Sequence, residues 1–223
     1  MPPRFFPPPA HSTPDGLVAI DGDLSCERLL DAYRHGIFPW PVCPEDPMLW
    51  WSPDPRAILP LEGMHVSKRL KRRLNSGEFQ ATSDRAFDEV IRGCSAGPGR
   101  EGGTWLTKEM IEAYIELHRQ GHAHSVEVWQ NDQLVGGAYG VTMGGLFAAE
   151  SMFYRMRDAS KVALARLVAH LNARGYRLLD VQQWTPHTGS LGVVEIPRDD
   201  FLQRLSEVVD LPISFGEQLE TAF

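Results

Sequence analysis

Asp180 and Gln182 interrupt an apolar run, Leu178-Leu179-Asp180-Val181-Gln182. Asp is disfavoured in strands, so a carboxylate that follows apolar residues in a central strand has a partner or a task. Residues two apart in an extended segment point to one face, which here sets an acceptor-only charge beside an amide. Glu150 stands in a comparable place, after Phe147-Ala148-Ala149. One such carboxylate is ordinarily a satisfied structural group. Two in one expected sheet point to a cation-binding or catalytic cleft.

A second concentration of charge lies at Lys68, Arg69, Lys71, Arg72 and Arg73, five cations within six residues. No single helical face holds all five, and a charge run is ordinarily a solvated surface. Its weight in the balance matters more: the net charge is −7, so everything else carries −12 and the run is a compact attractor for phosphate. Trp40 follows a proline at a helix exit, and Trp105 ends the glycine-rich approach Gly102-Gly103-Thr104-Trp105. Indoles carried on such loops stack on flat ligands. Trp50 and Trp51 read as core.

Other motifs carry less. Gly97-Pro98-Gly99-Arg100-Glu101-Gly102 fits G-x-G-x-x-G in letters only, because a helix precedes it and Pro98 has no amide donor, so it reads as a loop. The sequence contains no G-x-S-x-G, Walker A or H-E-x-x-H string. His118, His122 and His124 straddle a helix end, Gly121 and a strand start with no shared face, so helix-terminal and strand-edge roles are expected in place of a metal. Cys26, Cys43 and Cys94 show neither ligand nor disulfide spacing, which fits a reducing cytoplasm.

The elements that must position these groups follow from periodicity. Thirteen of the 17 prolines fall in the first 60 residues, leaving room for one short helix, with Ser25 as N-cap, Leu29, Leu30 and Tyr33 on its apolar face and Gly36 at its end. Residues 1–60 read as a small proline-braced lobe and 61–223 as a second unit. Helices are expected from near Ser67, from near Ser83 with Phe87, Val90 and Ile91 on one face and Gly93 behind it, and over 107–121. Strands follow over 125–129, 134–141 and 146–153, then a helix over 159–174 and a strand over 176–182. This order gives a mixed α/β (α+β) layer fold with one central sheet, similar in layout to the acetyltransferase-like fold called GNAT.

Composition excludes several classes. With 223 residues, 43% hydrophobic and 23% charged, the chain can bury a core and lies outside disordered, collagenous and disulfide-scaffold classes. Its longest uncharged apolar stretch, 134–149, contains five glycines and is shorter than the roughly 20 residues a spanning helix needs. The opening MPPRFFPPPAHSTP lacks the apolar segment of a signal peptide.

The strings GDLSCERLLDAYRHGIFPW, WWSPDPRA, GTWLTKEMIEAYIELHRQGHAHSVEVW, LVGGAYGV, LFAAESMF, ASKVALARL and DVQQWTPHTGSLGVVEIPR resemble the leucyl/phenylalanyl-tRNA–protein transferases over about residues 16–209. The resemblance implies a small N-terminal lobe followed by a GNAT-like catalytic domain. It implies an aminoacyltransferase that moves Leu or Phe, with Met a third candidate, from tRNA to the α-amino group of proteins beginning with Arg or Lys, marking them for degradation. It further implies that Trp40 and Trp105 sandwich the terminal adenine of the tRNA, and that Glu150, Asp180 and Gln182 are the polar catalytic-site residues. Leu164, Leu167 and Leu179 are implied to line the pocket for the transferred side chain, and residues 68–73 to face tRNA. Ala138 stands where a larger apolar residue such as Met can occur, implying a reshaped pocket. Gln182 is expected to aim the attacking amine, Asp180 to draw off its developing charge and orient Gln182, and Glu150 to attract a substrate cation. No cofactor, metal or membrane is expected, since the activation arrives in the tRNA ester, and the chain is expected to act as a monomer. Two other readings share these features. A coenzyme A-dependent acetyltransferase would need a pyrophosphate turn, yet no glycine occurs between residues 146 and 174. A non-enzymatic tRNA-binding module would leave Glu150, Asp180 and Gln182 idle.

Overall fold

The computed structural model describes residues 2–43, 47–96 and 106–220. The proline-rich start folds into a 3₁₀ turn (Pro9–His11), strand β1 (Leu17–Ile20), helix α1 (Cys26–Arg34) and the short strands β2 (Phe38–Pro39) and β3 (Leu49–Trp51). The three strands form one small sheet, in the order β1-β3-β2. Helix α1 starts where the Ser25 hydroxyl accepts the Arg28 N–H, and the chain leaves it through Gly36 at φ 73°. Trp50 is fully buried, and the half-buried Trp51 donates its indole N–H to the Trp40 carbonyl.

Beyond it run β4 (Arg56–Ile58), α2 (Lys68–Asn75), β5 (Gln80–Ser83), α3 (Phe87–Ala96), α4 (Lys108–Arg119), β6 (Ala123–Gln130), β7 (Gln133–Met143), β8 (Leu146–Tyr154), α5 (Ala159–Arg174), β9 (Leu178–Gln182), α6 (Pro186–Gly189), β10 (Val194–Ile196) and α7 (Arg198–Val208). Among the described residues these make a seven-stranded sheet ordered β10-β4-β9-β8-β7-β6-β5, antiparallel throughout except for the β8–β9 pair. The expected meander, long helix and last strand form its centre.

The edges differ from expectation. Gln80–Ser83, a polar stretch without strand signals, pairs with β6, and the helix expected near Ser83 begins only at Phe87. Gly93 lies inside α3, where an added Cβ would come within 2.8 Å of the Phe153 ring, so it serves close helix–sheet approach. Strands β4 and β10 are three residues each, too short to show alternation.

Helices α2 and α5 cover one face of this sheet with Val126, Ala138 and Phe147, while α3 and α4 cover the other. Leu29, Ala32 and Tyr33 of α1 belong to the cluster of α3 and α4, so the N-terminal lobe shares its core with the larger unit. Arg56–Ile58, within the first 60 residues, already lies in the large sheet. No helix among the described residues is long and apolar enough to cross a membrane.

Candidate active site

The site lies where the sheet splits. Strands β8 and β9 pair over Leu146↔Leu178, Phe147↔Leu179 and Ala148↔Asp180, and then part, β8 staying with β7 and β9 with β4. Each lip of the notch carries an extra residue. Tyr139 faces Ser151 and Gly140 faces Ala149, so Glu150 is the extra residue of a β-bulge. Ala57 faces Gln182 and Ile58 faces Asp180, so Val181 is the extra residue on the other lip. Bulges re-aim side chains, and these two turn Glu150 and Gln182 towards each other. Gly140 makes the first one sterically available, since a Cβ there would stand 2.2 Å from the Ala148 carbonyl oxygen. Gln182 takes the left-handed φ of 60°, which costs a residue with a Cβ on the order of 1–3 kcal/mol, and Asp180 Oδ1 holds it there by accepting its N–H at 3.0 Å. The two residues therefore meet through a bulge and a side-chain-to-backbone bond, where simple strand alternation was expected.

A chain of donors ends on Glu150. Gln182 Nε2 donates to Oε1 at 2.9 Å, and Tyr114 donates to Oε2 at 3.1 Å. Tyr33 lies 2.6 Å from the Tyr114 oxygen, and since Tyr114 spends its proton on Glu150, Tyr33 is the donor. Burial pushes the Glu150 carboxyl up to about 7; the Tyr33 and Tyr114 hydroxyls pull it down, the nearby Asp180 charge pushes it up, and Arg56 lowers it. Burial, then the charge on Glu150, holds both phenols well above their ordinary value, so both stay protonated donors. An ionised carboxylate only accepts, so Gln182 presents its NH₂ to Glu150 and keeps its Oε1 for another donor.

Of the two duties expected of Asp180, its surroundings fit the orienting of Gln182. Asp180 is buried and bound by a two-pronged fork, Arg56 Nε to Oδ1 at 2.8 Å and Nη2 to Oδ2 at 2.6 Å. Its charge is matched by Arg56 and its remaining capacity holds the Gln182 backbone, so it orients Gln182 but is not placed to draw charge from a substrate amine.

Beside the pair opens a cavity of about 180 Å³, walled by Ala138, Met152, Leu164, Leu167, Leu191 and Val193, with Glu150 and Gln182 at its polar side and Trp40 on its border. That is below the roughly 300 Å³ of clefts for drug-sized ligands, and is a space for one apolar side chain. Leu179 does not line it. It is buried in the same apolar cluster as the cavity walls without reaching the cavity, and Val181, re-aimed by the bulge, takes a wall position.

With this geometry in place, the comparisons are specific. The family described as leucyl/phenylalanyl-tRNA protein transferase matches residues 58–206, and the N-terminal domain of the same name matches 22–54. The chain belongs to this family. The leucyl/phenylalanyl-tRNA–protein transferase of Pseudoalteromonas atlantica is 51% identical over 93% of this chain and 89% of its own length, and that of Syntrophotalea carbinolica is 53% identical over 90% and 87%. Among solved structures, a GCN5-related N-acetyltransferase from Kribbella flavida matches with a TM-score of 0.38 at 10% identity, covering 74% of this chain and 58% of its own.

The remaining residues singled out in the sequence divide. Trp105 and the loop over 97–102 lie outside the described residues. In α2, Lys68, Lys71 and Arg72 border an open surface concavity with Asn75. Arg69 and Arg73 turn back: Arg69 pairs with the buried Asp158 at 2.7 Å, and Arg73 pairs with Glu78 and sits 3.9 Å from Asp158. Asp158 stands at the N-cap of α5, so the side chain that holds these two cations occupies the entry to that helix. His118 stacks on Phe87, and His124 pairs with Asp84 at 2.6 Å. Sequence reasoning missed Arg56, Tyr33 and Tyr114. The tyrosines sit at ordinary core positions of amphipathic helices and give no signal, while Arg56 follows two prolines and reads as surface loop. Its one clue is its place in the string WWSPDPRA.

Proposed function

We propose that the protein transfers Leu or Phe from aminoacyl-tRNA to the α-amino group of proteins that begin with Arg or Lys, acting as a monomer and marking those proteins for degradation. The observation that carries this is the Gln182–Glu150 pair at the mouth of a one-side-chain apolar cavity, in a chain of this family.

Aminolysis of the tRNA ester needs an uncharged amine, a held carbonyl and a route for the proton. An α-amino group titrates near about 7.7, so a fraction is already uncharged at neutral pH, and Glu150, at about 7, is matched to take the one proton this uncharged nitrogen sheds as the C–N bond forms. Gln182 Oε1 accepts a hydrogen bond from the amine and fixes its approach. The nitrogen then attacks the ester carbon, the C–N bond forms, and collapse of the tetrahedral intermediate expels the ribose oxygen, which takes the proton held by Glu150. Glu150 and Gln182 touch the reacting atoms in this scheme, and Asp180 acts through Gln182. The cavity takes the transferred side chain, Trp40 a face of the terminal adenine, and Lys68, Lys71 and Arg72 the tRNA phosphates. A net charge of −7 favours acceptors with a cationic first residue. Each of these groups comes from one chain, which supports a monomer.

The test incubates the protein with tRNA charged with labelled Leu, Phe or Met and with peptides that begin with Arg, Lys or Ala. Label from Leu and Phe in the Arg and Lys peptides is the expected result. No labelled peptide, or equal labelling of the Ala peptide, overturns the reading.

A further inference from the structure

Arg56 is the one Arg or Lys in the buried set among the described residues. All three of its guanidinium nitrogens are engaged: two on Asp180 and the third, Nη1, on the Gly36 carbonyl at 2.9 Å. Its plane lies between the Phe38 ring, 4.8 Å away, and the Phe201 ring, 4.5 Å away. One side chain thus joins the exit of α1, strand β9 and helix α7 directly beneath the notch.

A simple structural link explains too little of this. A neutral asparagine at position 180 could accept the Gln182 N–H without a buried ion pair. With Asp180 charged and buried near Glu150, the site would hold two carboxylates competing for one proton unless one were matched. The ionisable and charged groups that face Glu150 are Tyr33 from α1, Tyr114 from α4, Asp180 from β9 and Arg56 from β4.

We propose that Arg56 is a positioning residue for the transfer reaction: its fork fixes Asp180 and, through it, the left-handed Gln182, and its charge satisfies Asp180 so that Glu150 is the carboxylate the reaction protonates. This rests on the transfer reading above. Of the two neighbours, Asp180 pushes the Glu150 carboxyl up and Arg56 pulls it down, which fits opposed duties.

An infrared pH titration tests the charge, using the protonated-carboxyl band that disappears in Glu150→Gln. In Asp180→Asn, with Arg56 left in place, the midpoint moves below the wild-type value. Adding Arg56→Met to that variant removes the positive charge and returns the midpoint upward, by roughly one pH unit. The pair of variants is chosen because Arg56→Met alone leaves the Asp180 charge buried without a partner and threatens the fold, whereas the double substitution replaces both charges with neutral side chains; circular dichroism checks both. Arg56→Lys keeps the charge and loses the fork, so its midpoint stays at the wild-type value while kcat for transfer falls at least tenfold and KM for aminoacyl-tRNA holds. Coincident midpoints for Asp180→Asn and the double variant, or wild-type kcat in Arg56→Lys, overturn the proposal. A wild-type protein that labels no peptide defeats the transfer reading separately, and the titrations still decide the charge.

Discussion

Two regions of the molecule concentrate charge, and they are built on opposite terms. At the notch, Arg56, Asp180, Gln182 and Glu150 lie where water is largely excluded, and each hydrogen bond fixes the next partner. Along α2, Lys68, Lys71 and Arg72 stand exposed on one side while Arg69 and Arg73 are tied back to acidic partners on the other. Charge in the first region acts through geometry and changes abruptly when one member is lost. Charge in the second acts additively and through solvent, so it is graded and screened by salt.

The largest expected effect tests the first half of that contrast. Gln182→Ala and Glu150→Gln should each lower kcat on the order of 10²–10⁴-fold, the usual scale of positioned proton transfer, while tRNA affinity stays near wild type. Asp180→Asn should lower transfer too, through loss of the Arg56 fork. Filter binding with single-turnover transfer separates the two quantities. A variant that transfers at the wild-type rate would show that the notch tolerates loss of a member, and the contrast would fail.

Next in size is a pH effect on stability. The Glu150 carboxyl lies near 4.5 when unfolded and is raised to about 7 by burial in the folded protein. Below the lower value both states hold the proton and the favourable contribution is fully present. As pH rises towards about 7 only the folded state still holds it, so that contribution is progressively lost, and above 7 the loss is complete. The stability of wild type minus that of Glu150→Gln should therefore fall by roughly 2–3 kcal/mol between those limits. Urea unfolding at several pH values reads the difference, and a flat line would mean that Glu150 is not held in a desolvated site.

What could be read from sequence divides along the same contrast. Glu150, Asp180 and Gln182 stood out because a polar residue inside an apolar strand is locally anomalous, and the cations of α2 stood out as a run. Neither signal says how a group is spent. Asp180 reads as an available charge until Arg56 is placed against it, and that placement depends on a three-residue strand following Pro53 and Pro55, where alternation has no room to show. The bulges at Glu150 and Val181 are likewise properties of pairing between strands, and they put Val181 on the wall of the cavity that the family resemblance had assigned to Leu179. The split of α2 into solvent-facing and tied-back cations required Asp158 and Glu78, distant in sequence or beyond the helix.

For the second region, replacing Lys68, Lys71 and Arg72 together by Gln should weaken tRNA binding on the order of tenfold near physiological salt. It should also reduce the slope of log affinity against log salt by roughly 2–3, close to one for each phosphate no longer neutralised. Transfer from saturating aminoacyl-tRNA should be unchanged. An unaltered slope would make this face solvated surface and leave the notch as the one functional concentration of charge.

The smallest effect is the sharpest test of the division within α2. Lys71 and Arg69 are both exposed cations on one helix, but Arg69 donates to Asp158, whose side chain is only 5% exposed and which sits at φ 72° at the entry to α5. Removing Lys71 should cost about one unit of salt slope and no stability. Removing Arg69 as Arg69→Gln should leave the slope alone, because its charge is already matched, and should lower stability by up to about 1 kcal/mol, the range of a largely exposed pair. Arg73, 3.9 Å from Asp158, keeps the effect small by remaining as a second cation. If both single variants instead changed the salt slope equally, the pairing with Asp158 would be broken when tRNA binds, and all of α2 would act as one phosphate-facing strip.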